Sequence, residues 1–171
     1  MERINSKTVH KGPMVKVRHD TFRGADGTER EREIVEHPGA VGVVAYDDEH
    51  VYLVRQPREA VGVDDLLELP AGKLDVEGEE PIECAKRELS EEVGITAKEW
   101  RELKRFYTSP GFADEEVWIF EATGLTEGEP DPGEGEDIEI VKAPLAELDS
   151  YIEQCADSKT LIGLLMLRDL I

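Results

Sequence analysis

The stretch from Gly72 to Ile95 constrains this chain more than any other, because it dictates both a helix and the chemistry that the helix carries. Pro81 suits a first helical turn, where its missing N–H is no loss and its fixed φ is already helical. Ile82, Ala85, Leu89 and Val93 then recur at helical spacing, and Gly94 stands where a left-handed residue closes a helix. On that helix Glu88 lies three and four positions before Glu91 and Glu92, so the three carboxylates share one side. Like charges at such spacings cost roughly a few tenths of a kcal/mol each, with only Lys86 and Arg87 nearby to offset them. Hard divalent cations, Mg²⁺ or Mn²⁺, suit such an oxygen cluster, and Mg²⁺ usually binds through few carboxylates plus substrate phosphates. The pattern points to metal-assisted phosphate chemistry rather than to a merely solvated acidic face. Arg87 is expected to pair with Glu79 in the preceding loop. A bidentate bond there would hold the loop against the helix and bring the backbone carbonyl of Ala71 to the metals.

The rest of the chain reads as an α/β layout. Residues 7 to 37 alternate around Val15, Val17 and Phe22, turn at 24–27 and resume through Arg32, Ile34 and Val35, which predicts an antiparallel β ribbon. A ribbon of this size buries no core alone, so it is expected to pack on the main domain or on a second subunit, which makes a homodimer plausible. The expected division is therefore a ribbon over 1–37 and a catalytic domain over 38–171. From Gly39 two strands follow, Ala40 to Tyr46 and Val51 to Val54, around a polar turn at Asp47 and Asp48. A short strand, Leu66 to Leu69, ends at the Pro70-Ala-Gly72 breaker, which opens a loop. Trp100 to Tyr107 and Val117 to Ala122 read as strands flanking a loop, and Glu127 to Glu136 as an acidic loop too poor in apolar residues to pack. Helices near Leu145 to Gln154 and Lys159 to Leu170 complete a mixed sheet covered by helices.

Charge narrows the partners. With 40 Asp and Glu against 20 Lys and Arg, a formal charge of −20 repels nucleic acid and anionic lipid. It also repels a nucleotide phosphate unless divalent cations neutralise carboxylates where that phosphate binds. The two cysteines, Cys84 and Cys155, form no CxxC pair and have no histidines at ligand spacing, so neither zinc nor a disulfide framework is expected. The absence of an apolar run of signal-peptide or membrane-span length leads to an expectation of a soluble, cytoplasmic protein. No EF-hand-like loop is present, which argues against a calcium-binding structural protein.

Residues 72–95 resemble the signature of the Nudix family, Gly-x5-Glu-x7-Arg-Glu-U-x-Glu-Glu-x-Gly-U, with U a bulky aliphatic residue. Every specified residue type is present. The single departure is in the loop, where six residues rather than five separate Gly72 from Glu79, a variant that looks like that of some ADP-ribose pyrophosphatases. The resemblance implies an α/β/α sandwich around a mixed sheet, with Glu88, Glu91 and Glu92 as metal ligands, Glu91 and Arg87 as members of the catalytic set, and Ala71 as a backbone ligand. Pro110 and Gly111, in Ser109-Pro-Gly111, resemble the downstream proline marker of ADP-ribose pyrophosphatases. Glu115 falls where those enzymes carry a loop glutamate that orients or deprotonates the attacking water, with Asp114 and Glu116 as its rivals. Arg55 or Arg58 is expected to grip the diphosphate, Glu68 to border the site, and Phe22 to be a candidate for stacking on adenine. The implied reaction is Mg²⁺-dependent hydrolysis of ADP-ribose to AMP and ribose 5-phosphate. Another nucleoside diphosphate derivative, such as a nucleotide sugar or a dinucleoside polyphosphate, is the alternative substrate. A silent nucleotide-sensing module is the alternative class, and the intact set of glutamates argues against it.

Overall fold

The chain is divided into two compact units, Met1–Gly39 with Phe106–Glu116, and Ala40–Arg105 with Val117–Ile171. A computed structural model describes every residue except 14, 134 and 136.

In the first unit β1 (Glu2–Lys11), β2 (Lys16–Arg23) and β3 (Glu29–Glu36) form an antiparallel sheet in chain order. The predicted ribbon is thus widened by a strand, β1. Its sequence is too polar to announce itself, and pairing along β2, from Glu2 opposite Arg23 to Lys11 opposite Lys16, makes it a strand. The turn at 24–27 forms as expected: Asp26 Oδ1 accepts from the backbone N–H of Thr28 at 3.1 Å, and Gly27 takes a φ of 77° that favours glycine. Asp20 is buried in this sheet and is neutralised by Arg18 at 2.7 Å, with Ser6 donating a further hydrogen bond at 2.6 Å.

The second unit is built on a mixed sheet. β4 (Ala40–Tyr46) lies at its centre, parallel to β9 (Glu116–Glu127) and antiparallel to β5 (His50–Arg58). β10 (Glu139–Pro144) extends the sheet beyond β5, and β8 (Ile95–Tyr107) extends it beyond β9. β6 (Val63–Glu68) also pairs with β5. The β4–β5 turn closes because the Asp47 carboxylate accepts from the N–H groups of Glu49 and His50, both at 2.8 Å. Along β4 the side chains of Val41, Val43 and Ala45 join a core with Cys84, Ala85, Leu89 and Val93 of α1 (Pro81–Val93). Its opposite face meets α3 (Ser158–Leu170): a Cβ added at Gly163 would come 3.0 Å from Val44 and 2.6 Å from Leu69. Helices therefore cover both faces of β4, which explains why this strand is an almost unbroken apolar run. A 3₁₀ turn (Leu145–Glu147) leads into α2 (Leu148–Gln154), which packs on α3.

Two expectations need correction here. Ala71–Lys73, read as the opening of a loop, forms a short strand, β7, antiparallel to β4, with Gly42 opposite Ala71. Its Gly and Ala content hid it, and its pairing with β4 rather than local propensity makes it a strand. The loop after β9 was expected to pack on nothing. Its described residues are instead tied to the end of α1, where Asp131 N–H donates to the Glu91 carbonyl at 2.9 Å and Gly128 N–H to the Gly94 carbonyl at 2.6 Å. These bonds satisfy carbonyls that a helix end leaves without partners. Residues 134 and 136 of that predicted loop lie outside the described residues. Among the described residues no helix is long and apolar enough to cross a membrane.

Candidate functional site

The site of the second unit begins with the geometry of α1. Glu80 precedes it in an extended conformation, Pro81 starts it, and Gly94 ends it at φ 70°, donating its N–H to the last-turn carbonyls. Apolar side chains fix one face of the helix into the core, and Glu92 is buried among them. Its Oε2 accepts from the backbone N–H of Ala71 at 3.0 Å, which ties the helix to β7. Glu88 presses on the same strand. A Cβ built on Gly72 would come 1.9 Å from Glu88 Oε1, so residue 72 has no side chain because the carboxylate occupies that space. Glu91 is more exposed, and no basic residue lies in the last turn of α1 to complement the negative end of its dipole. Mutual repulsion and the helix dipole both disfavour the glutamate cluster.

Arg87 offsets part of this cost. Its guanidinium donates to both oxygens of Glu79, at 2.9 and 3.0 Å, giving the bidentate clamp expected from the sequence. It also donates to Glu88 at 2.7 Å and to Glu91 at 3.0 Å. A long side chain one residue and one helical turn from these two reaches both. Hydrogen bonding to Glu79, with Glu88 and Glu91 adding to it, raises the Arg87 pKa further above its ordinary value. The same bonds hold the Glu79 carboxyl below the ordinary carboxylate range. Cys84 lies beneath this cluster, where burial and the Glu88 charge push its thiol up to about 12, so it is no nucleophile at neutral pH.

A second charged cluster adjoins the first. Arg58 donates to both oxygens of buried Glu68, at 2.6 and 2.9 Å, and Glu92 strengthens the field that keeps Arg58 protonated. Lys159, for which the sequence reading assigned no role, donates to the same carboxylate at 2.5 Å and to Asp157 at 3.0 Å. Burial pushes the Glu68 carboxyl up, but Arg58 and Lys159 outweigh burial and hold it below the ordinary carboxylate range. Arg55 is engaged differently, donating to the Asp65 carbonyl at 3.0 Å. Lys159 lies 91 positions from Glu68, and no local pattern marks such a pair.

The remaining predicted residues belong to the first unit. Pro110 and Gly111 form an exposed turn, closed by the N–H groups of Phe112 and Ala113 on the Ser109 carbonyl. Glu115 accepts from the Thr108 hydroxyl at 2.7 Å, and its other oxygen lies 3.5 Å from His37 Nδ1. Asp114 is committed to the backbone N–H of His37 at 2.9 Å and to Arg18 at 3.3 Å. Glu116 begins β9, and Phe22 lies half-buried on β2.

The donor set on α1 suits a divalent cation by its chemistry. It offers hard carboxylate oxygens from Glu88, Glu91 and Glu92, crowded enough to welcome positive charge, beside a strand whose residue 72 is stripped of its side chain. Among the described residues no three His, Cys, Asp or Glu side chains converge on one point; Arg87 Nη1 bridges Glu88 and Glu91, while Glu92 is bonded to the Ala71 N–H. Residues 36–162 match the model of the NUDIX domain family. The chain belongs to the Nudix family. Nudix hydrolases generally use divalent metal ions, in keeping with that donor set. The chain is 46% identical over 149 residues to an ADP-ribose pyrophosphatase of Mycobacterium tuberculosis, spanning 85% of this chain and 72% of that protein. It is 38% identical to an ADP-ribose pyrophosphatase of Bacillus subtilis, spanning 94% of this chain and 91% of the relative. A Bacillus methanolicus protein called methanol dehydrogenase activator is also 38% identical, with coverage of 94% and 88%. A crystal structure described as an ADP compounds hydrolase superposes with a TM-score of 0.85 at 26% identity, covering 99% of this chain and 92% of its own.

Proposed function

We propose that this Nudix hydrolase cleaves the diphosphate of ADP-ribose, adding one water to give AMP and ribose 5-phosphate, with Mg²⁺ or Mn²⁺ as cofactor. The observation that carries this reading is the packing of Glu88 and Glu92 against Gly72 and Ala71, which gathers oxygen donors on a strand and a helix of one unit. The names of the two ADP-ribose pyrophosphatases and of the ADP compounds hydrolase support the substrate.

Glu88, Glu91 and Glu92, with the Ala71 carbonyl, would hold the cation. When bound, it neutralises charge on the phosphoryl oxygens and lowers the pKa of attacking water. Arg87 keeps the loop and the helix together through Glu79. Arg58 supplies a planar guanidinium suited to a phosphate, with Arg55 the other candidate on β5. For Glu115 the role is general base, taking a proton from the water, and for Pro110 and Gly111 it is substrate contact; these three roles rest on the family resemblance. Asp114, bonded to the His37 N–H and to Arg18, and Glu116 are the rival base candidates.

The chain is further proposed to act as a homodimer in the cytoplasm on a small-molecule substrate, with neither nucleic acid nor membrane as partner. Its net charge supports the last point, and the open edge of β1 supports the first. The test is AMP release from ADP-ribose alongside GDP-mannose, diadenosine polyphosphates and NADH, with and without Mg²⁺. Preferential turnover of another compound overturns the substrate, and no turnover of any points to a binding module.

A further inference from the structure

Glu68 is a carboxylate with 1% exposure that is served by two cations. Breaking a buried ion pair by removing its partner is costly, and a second cation already in place spares Glu68 that cost if the first moves away. The two differ in freedom. Arg58 is 42% exposed and ends β5 just past an irregularity in its register with β6, between Gln56 and Arg58. Lys159 is 16% exposed and anchored. Its second partner, Asp157, accepts from the Thr160 N–H at 2.9 Å as the N-cap of α3, so the ammonium is pinned to a rigid helix start. Thr160 reinforces the same place, its hydroxyl accepting from the Leu69 N–H at 2.8 Å.

We propose that Lys159 is a positioning residue that holds the charge of Glu68, so that Arg58 can turn from Glu68 to the substrate diphosphate without stranding a buried carboxylate. This rests on the reading of Arg58 as a diphosphate ligand. With Lys159 in place, Glu68 keeps a partner when the guanidinium leaves, and the two donors that Arg58 spends on Glu68 become a bidentate grip on phosphate. Without Lys159, Arg58 is the sole partner and is retained by Glu68, so substrate binding must overcome that attachment.

The experiment measures KM and kcat for ADP-ribose at saturating Mg²⁺, together with thermal midpoints. Lys159→Gln is expected to raise KM by about tenfold with kcat held within about twofold, and Lys159→Arg to restore KM. In a Glu68→Gln background, where no charge needs holding, Lys159→Gln is expected to leave KM unchanged. That comparison also serves if the single variant does not fold. In an Arg58→Ala background Lys159→Gln is likewise expected to add nothing. If Arg58→Ala itself leaves KM at the parental value, the reading of Arg58 as ligand fails. If Arg58→Ala raises KM while Lys159→Gln changes only the thermal midpoint, or if its effect on KM persists in the Glu68→Gln background, the role given to Lys159 is wrong and the Arg58 reading stands.

Discussion

Each glutamate of α1 has a separate protein contact, so the three are not interchangeable. Glu92 is buried and bonded to the Ala71 N–H, and Glu88 fills the space above Gly72, whereas the more exposed Glu91 carboxylate accepts from Arg87. Glu92→Gln is expected to lower turnover by at least about a hundredfold at ordinary Mg²⁺ concentration, since even partners behind a metal ligand are typically worth about 10- to 100-fold. Near-normal turnover in that variant would end the assignment of α1 as the metal site. Gly72→Ala tests the neighbouring contact. The atoms it would strike belong to a flexible side chain, so Glu88 is expected to swing away, with Mg²⁺-dependent activity falling and the thermal midpoint nearly unchanged. A large drop in thermal midpoint would show that Gly72 serves the fold instead.

The elements fall into those that announce themselves and those made by contact. α1 was legible to the residue, because Pro81, the apolar spacing and Gly94 are local signals, and the Arg87–Glu79 clamp followed from loop and helix spacing. β7 and β1 were not, since a three-residue strand and a polar edge strand are defined by their neighbours. The start of β8 was also missed: it begins at Ile95, directly after the helix cap, in a polar stretch. Within the site the same division holds, with the glutamates visible in the signature and the Lys159–Glu68 contact invisible because α3 and β6 meet only in the folded chain. That meeting has a pH signature. Burial opposes ionisation of Glu68 and Asp157, and their cationic and hydrogen-bonding partners outweigh it, so both titrate below their ordinary values of 4.5 and 3.8. Their contribution to stability is therefore full above those ordinary values and is lost as pH falls through the lower folded ones. The urea midpoint of the parent is expected to fall below about pH 4.5 more steeply than that of Glu68→Gln. Parallel curves would show that Glu68 contributes nothing to acid sensitivity.

At the scale of the whole molecule, a charge of −20 repels itself in any compact state. Raising NaCl from about 10 mM to about 150 mM shortens the screening length from about 30 Å to about 8 Å, so the thermal midpoint is expected to rise. A fall would mean that local ion pairs outweigh the general repulsion. The contact of α3 with β6 reaches beyond equilibrium, to the order in which the chain is made. Ribosomes deliver residues 72–95 well before Asp157, Lys159 and Thr160. A nascent chain arrested just before Asp157 already contains every signature glutamate, yet Glu68 has one cation and the Leu69 amide lacks its hydroxyl acceptor. Under the role proposed for Lys159, such a chain carries the full signature and is expected to take up its substrate less readily than the finished protein.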